Sequence, residues 1–119
     1  MTCKVIVSSI FRKEAKRLIK KFPSLKNELN ELAGSLQENP VQGSSLGNNS
    51  FKIRLAVKSK GKGKSGGMRI ITWVVLWVSG DEKETWVNLV TIYDKSEKEN
   101  ITDNRLKEMI LEIKSELHL

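Results

Sequence analysis

The segment Met68 to Val78, MRIITWVVLWV, is apolar on both parities once Arg69 is passed. A strand with one wet face alternates, so this pattern predicts a central strand covered on both faces over much of its length. Such a strand needs partners at its sides and cover above and below. Phe51 to Val57 supplies a neighbour: Phe51, Ile53, Leu55 and Val57 share one face, while Lys52, Arg54, Ala56 and Lys58 share the other. One of its faces is therefore core and the other basic. After a turn at Ser79 to Lys83, Glu84 to Tyr93 reads as a further strand, apolar on both parities. These three predict an antiparallel meander. Lys4 to Ser8, with Val5, Ile6 and Val7, predicts a short first strand.

Helical periodicity supplies the cover. Ile10, Phe11, Ala15, Leu18, Ile19 and Phe22 fall on one stripe, with Arg12, Lys13, Lys16, Arg17, Lys20 and Lys21 around the rest. Pro23 breaks this helix and suits the first turn of a second, in which Leu25, Leu29, Leu32, Ala33 and Leu36 recur until Asn39 and Pro40. Val41 to Ser50, rich in Gly, Ser and Asn, reads as a connection. Near the end, Thr102 caps a helix, Ile101 staples onto Leu106, and Leu106, Met109, Ile110, Ile113 and Leu117 form its stripe. The expected order is β-α-α-β-β-β-α. It predicts one α+β domain over residues 1–119, built on a four-stranded, mostly antiparallel sheet.

No run reaches the roughly 18 apolar residues needed to span a bilayer, and MTCKVIVSSIF leads into a charged helix rather than a cleavage site. The cytoplasm is the expected location, with no membrane partner. Cys3 is the single cysteine and His118 the single histidine, so neither a disulfide nor a zinc cluster is expected.

The net charge of +7 is concentrated. Residues 1–38 carry eight basic and four acidic side chains, 39–80 seven and none, and 81–119 six and ten. The middle third alone matches the whole excess. Its densest part, KSKGKGKSGGMR from Lys58 to Arg69, sets Lys58, Lys60, Lys62, Lys64 and Arg69 among four glycines. A focused field of this kind favours a polyanion, nucleic acid first, while a solvated hairpin loop explains a lysine run equally well.

Other chemistries fit poorly. The GKS at Gly63 to Ser65 has Lys58 where a phosphate-binding P-loop needs glycine, and a strand follows instead of a helix. His118 is the penultimate residue, placed as a tail and not as a base. No carboxylate pair occupies the basic region, as a two-metal nuclease requires. Trp73, Trp77 and Trp86 read as core side chains before base-stacking ones. What remains is Arg69 at the start of the central strand, Tyr93 at the end of the next, and Lys95 two residues on. Antiparallel neighbours bring the start of one strand beside the end of the next, so Arg69 and Tyr93 are expected to meet. A surface arginine and an ordinary strand-end tyrosine are the plainer alternative.

KIRL, then GKSGGMRII, then IYDKSEKENIT before a terminal helix, all behind a helical hairpin closing in ENP, resembles the RelE/HigB-type toxins of bacterial toxin-antitoxin modules. The resemblance spans almost the whole chain. It implies a compact α+β fold and translation inhibition through metal-independent cleavage of messenger RNA, usually in the ribosomal decoding site, with no cofactor. It also implies a cognate antitoxin as partner beside messenger and ribosome. On matching positions it puts Lys64 and Arg69 in a basic cleft and Tyr93 and Lys95 at its far wall, with Lys52 and Arg54 at RNA-contacting positions. Where some relatives have a catalytic tyrosine or histidine near the terminal helix, this chain has Ile101 and the distant His118. The mechanism so implied is attack by a ribose 2′-hydroxyl on the adjacent phosphate. Arg69 then stabilises the phosphate, Lys64 or Tyr93 acts as base, and Lys95 assists the phosphate or the leaving group. Lys58, Lys60 and Lys62 are assigned to RNA binding. Related members of the fold inhibit gyrase without cutting RNA, so a non-catalytic binding module is the alternative.

Overall fold

The computed structural model describes residues 2–61, 67–98 and 100–118, with only the backbone of Thr2. Lys62 and Lys64, both expected at the site, lie outside the described residues. The elements run β1 (Thr2–Val7), α1 (Ser9–Lys21), α2 (Leu25–Glu38), β2 (Ser44–Gly47), β3 (Ser50–Leu55), a 3-10 turn (Lys58–Lys60), β4 (Met68–Ser79), β5 (Glu82–Asp94) and α3 (Asp103–Glu116). The sheet has five strands in the order β1-β5-β4-β3-β2. The four-stranded expectation is corrected by β2, which folds within Val41 to Ser50.

That strand escapes periodicity because every residue in it is exposed and it has no apolar face. Turn chemistry makes it instead: Asn48 and Asn49 adopt φ values of 52° and 60°, the left-handed pair that closes a tight hairpin between β2 and β3. At the other edge β1 pairs parallel with β5, so the sheet is mixed. β4 and β5 are its long antiparallel centre.

Both faces are covered, as the β4 pattern requires. On one, Phe11, Ala15 and Leu18 of α1 and Leu25, Leu32 and Leu36 of α2 pack on Ile53, Met68, Ile70, Val87, Leu89 and Ile92. On the other, Leu106, Met109 and Ile113 of α3 cover Ile71, Trp73, Val90 and Tyr93. Ser8 caps α1, its hydroxyl accepting from the Phe11 amide, and Thr102 caps α3 by accepting from Arg105. Pro23 sits in the turn before α2 and not inside its first turn.

The cover gives out along the central hairpin. β4 is buried from Met68 to Trp73, whereas Leu76, Trp77 and Val78 are exposed large apolar residues. Trp73 is core as expected. Trp77 is not: it is 40% exposed and stacks on Trp86 with ring centroids 5.1 Å apart.

One irregularity redirects the end of β5. Ile71 pairs with Thr91 but Thr72 pairs with Leu89, so Val90 is an extra residue in that strand. Val87 and Leu89 point to the α1/α2 face, and simple alternation would send Tyr93 the same way. The bulge reverses this. Ile92 joins the α1/α2 core, and Tyr93 turns to the α3 face.

Candidate nucleic-acid interface

Register builds the site. Arg54 of β3 pairs with Arg69 of β4, and Arg69 pairs with Tyr93 of β5, making a row across three strands. Lys52 stands two residues from Arg54 on the same face, opposite Ile71. The meeting of Arg69 and Tyr93 expected from strand order is present. Two guanidinium side chains thus stand at directly opposed positions of neighbouring strands.

Neither Arg69 nor Tyr93 is a surface group. Arg69 is 3% exposed and donates from Nη1 to the Met68 carbonyl at 3.3 Å. Tyr93 is 5% exposed, and burial pushes its phenol above the ordinary tyrosine value, an effect that the positive charge of Arg69 partly opposes. A phenol displaced in that direction stays protonated at neutral pH.

The exposed cations surround this row. Arg54, Lys58 and Lys95 are solvent-facing, and Lys52 is half-buried with Nζ donating to Asn100 Oδ1 at 3.0 Å. The Lys95 amide donates to the Gly67 carbonyl at 3.3 Å, which ties the turn after β5 to the chain just before β4. The backbone of Lys58 is held from α2, its amide donating to Glu28 Oε2 at 2.8 Å. Acid therefore borders the basic strip on the α2 side, where Glu28 and Glu31 line a groove of about 770 Å3 with Lys52, Arg54 and Lys58. Between α1 and α3 Tyr93 lines a cleft of about 380 Å3 with Arg17, Lys98, Arg105 and the acids Glu14, Asp94 and Glu97.

Lys60 departs from its expected role as an RNA contact. Its Nζ lies 2.5 Å from Asp94 Oδ1 and 3.2 Å from Ser96 Oγ, and its side chain is 6% exposed. It also sits over the Phe22 ring, 5.0 Å from the centroid. The ammonium is thereby engaged by Asp94, Ser96 and the Phe22 ring. Asp94, the partner of Lys60, is not visible in the charge count, because its segment, residues 81–119, is acidic overall and one more carboxylate there carries no signal. Burial by itself would raise the Asp94 carboxyl. Hydrogen bonds from Lys60 and the Ser96 amide, with the Lys60 charge, outweigh burial and hold it below the usual carboxylate range.

Among the described residues the structure thus brings together Arg54, Arg69 and Tyr93, sets Lys52 and Lys95 around them, and withdraws Lys60. His118 is exposed. Comparison with protein-family models and with curated proteins gives no match.

Proposed function

We propose that this chain is the toxin of a bacterial toxin-antitoxin module of the RelE/HigB kind, a metal-independent endoribonuclease that cuts messenger RNA on the ribosome. The observation that carries the reading is the Arg54, Arg69 and Tyr93 row, two cations and a protonated phenol held in register on one sheet face. Two guanidinium charges on one row attract a phosphate, and a pentavalent phosphate with its extra charge is held more strongly. In this mechanism Arg54, Lys52 and Lys58 hold the backbone, Arg69 stabilises the developing charge, and Tyr93 donates to a phosphate oxygen. Lys95 stands beside the leaving group. Lys64 serves as the base.

A second reading is a non-catalytic module that uses the same patch to bind RNA or gyrase. The near-complete burial of Arg69 and Tyr93 favours it, since core packing alone explains two enclosed side chains.

One experiment divides the two. The chain is expressed without antitoxin, and cellular transcripts are mapped by primer extension alongside the variants Arg69→Lys and Tyr93→Phe. The catalytic reading expects growth arrest with cleaved messengers. Single-turnover cleavage on ribosomes should fall about 10²- to 10⁴-fold in each variant while ribosome affinity changes little. Arrest with intact transcripts, or variants that bind and cleave as the parent does, rejects it.

A further inference from the structure

We infer that Lys60 and Asp94 form a clamp behind the sheet that positions Tyr93 and Lys95 at its front, which makes Lys60 a positioning residue instead of an RNA ligand. The inference rests on the ribonuclease reading for its consequence in rate, and on geometry alone for the clamp.

The turn after β5 is folded around Asp94. Its carboxylate Oδ1 accepts from the Ser96 amide at 2.9 Å, and its carbonyl accepts from the amides of Glu97 and Lys98, both at 3.0 Å. Lys60 closes this arrangement from the 3-10 turn through both Asp94 and Ser96. Its contact with Phe22 anchors the same ammonium at the end of α1. Three elements distant in sequence therefore meet at one nitrogen.

Strand alternation gives the clamp its direction. Tyr93 faces α3, so Asp94, the next residue, faces the α1/α2 side where Lys60 and Phe22 lie. The ion pair holds the backbone from behind at the residue between Tyr93 and Lys95. Loss of the pair frees this strand end to shift, and Tyr93 and Lys95 shift with it.

Net stability over an apolar pair is not what sets such a pair apart. Buried ion pairs often contribute little net stability compared with apolar residues of the same size, whereas one partner left alone is strongly unfavourable. Fixing one geometry is what the pair adds. Placement of reacting groups is sensitive to this, since a displacement of about 1 Å costs on the order of 100-fold in rate.

The test uses Lys60→Met, Lys60→Arg and the neutral double variant Lys60→Met with Asp94→Asn, which avoids a lone buried charge. Tyr93 is the only tyrosine in the chain, so its ring resonances report its position without ambiguity. In the double variant the Tyr93 ring and the Lys95 to Lys98 amides should move, with amide exchange at least about tenfold faster in a protein that stays folded. Single-turnover cleavage of ribosome-bound messenger should fall by about 10- to 100-fold with affinity within about twofold, and Lys60→Arg should recover part of the rate. Unchanged Tyr93 and turn resonances in the folded double variant overturn the clamp. So does a loss of RNA affinity in Lys60→Met with a salt slope lower by about 0.7, the signature of a contact to one phosphate of a single strand. If the parent chain cuts no RNA, the ribonuclease reading fails, and the resonances still decide whether the clamp exists.

Discussion

At the scale of single residues, burial changes what substitution at the site is expected to do. Sequence position suggests that Arg69→Ala trims a strand-end cation at no cost to the fold. With Arg69 3% exposed, truncation instead empties a packed volume and removes its bond to the Met68 carbonyl. A loss of about 2 to 4 kcal/mol is expected, read as a lower urea midpoint, while Tyr93→Phe costs about 1 kcal/mol. Asp94 makes a pH prediction of definite sign. Its folded-state pKa is depressed, so its stabilising contribution is complete above the unfolded value near pH ~4 and is lost as pH falls through the folded value. Urea unfolding at a series of acid pH values should show this decline in the parent and a flatter profile in the neutral Lys60→Met, Asp94→Asn pair. Identical profiles would mean that other carboxylates govern acid stability.

Elements place these residues through two local devices. The Val90 bulge puts Tyr93 in line with Arg69, although alternation from Val87 and Leu89 would have sent it to the opposite face. Gly43 performs the comparable service for the basic strand. Its φ is +90°, and a Cβ there would fall 2.3 Å from the Lys52 carbonyl oxygen. Only glycine lets the chain pass so close to β3 before pairing begins at Ser44 and Lys52. Gly43→Ala should therefore loosen β2 from β3 and lower stability by more than about 1 kcal/mol. Faster amide exchange confined to β2 and the first half of β3 is the expected pattern. A variant with the parent's melting temperature and exchange would show that the backbone relaxes around the new methyl group.

For the whole molecule, charge and fold divide the work. The seven basic residues of the middle third give a one-signed field, but folding distributes them unequally. Lys52, Arg54 and Lys58 reach the surface, while Arg69 and Lys60 are enclosed. Neutralising Lys52, Arg54 and Lys58 together should weaken RNA binding and reduce the log-log salt slope by about 0.7 for each phosphate of a single strand that the protein no longer neutralises. An unchanged slope in titrations across salt concentrations would reduce this strip to a solvated edge. No helix among the described residues is long and apolar enough to cross a membrane.

The sequence by itself determined the α+β class, three helices with their stripes, the Thr102 cap, the central β4, and the placing of the start of β4 beside the end of β5. These follow from local periodicity and from antiparallel geometry, which act over a few residues and need no distant partner. The Val90 bulge decided that Tyr93 shares a face with Arg69. Tertiary structure decided the fifth strand, the parallel pairing of β1 with β5, the exposure of Trp77 and the enclosure of Lys60 by Asp94. β2 has no apolar face for a pattern to reveal, and whether a tryptophan is covered depends on where α3 ends above it. Lys60 and Asp94 stand 34 positions apart. In the sequence one is another lysine in a basic run and the other another acid in an acidic third. Only folding brings them within an ion-pair distance, where each satisfies the other's charge.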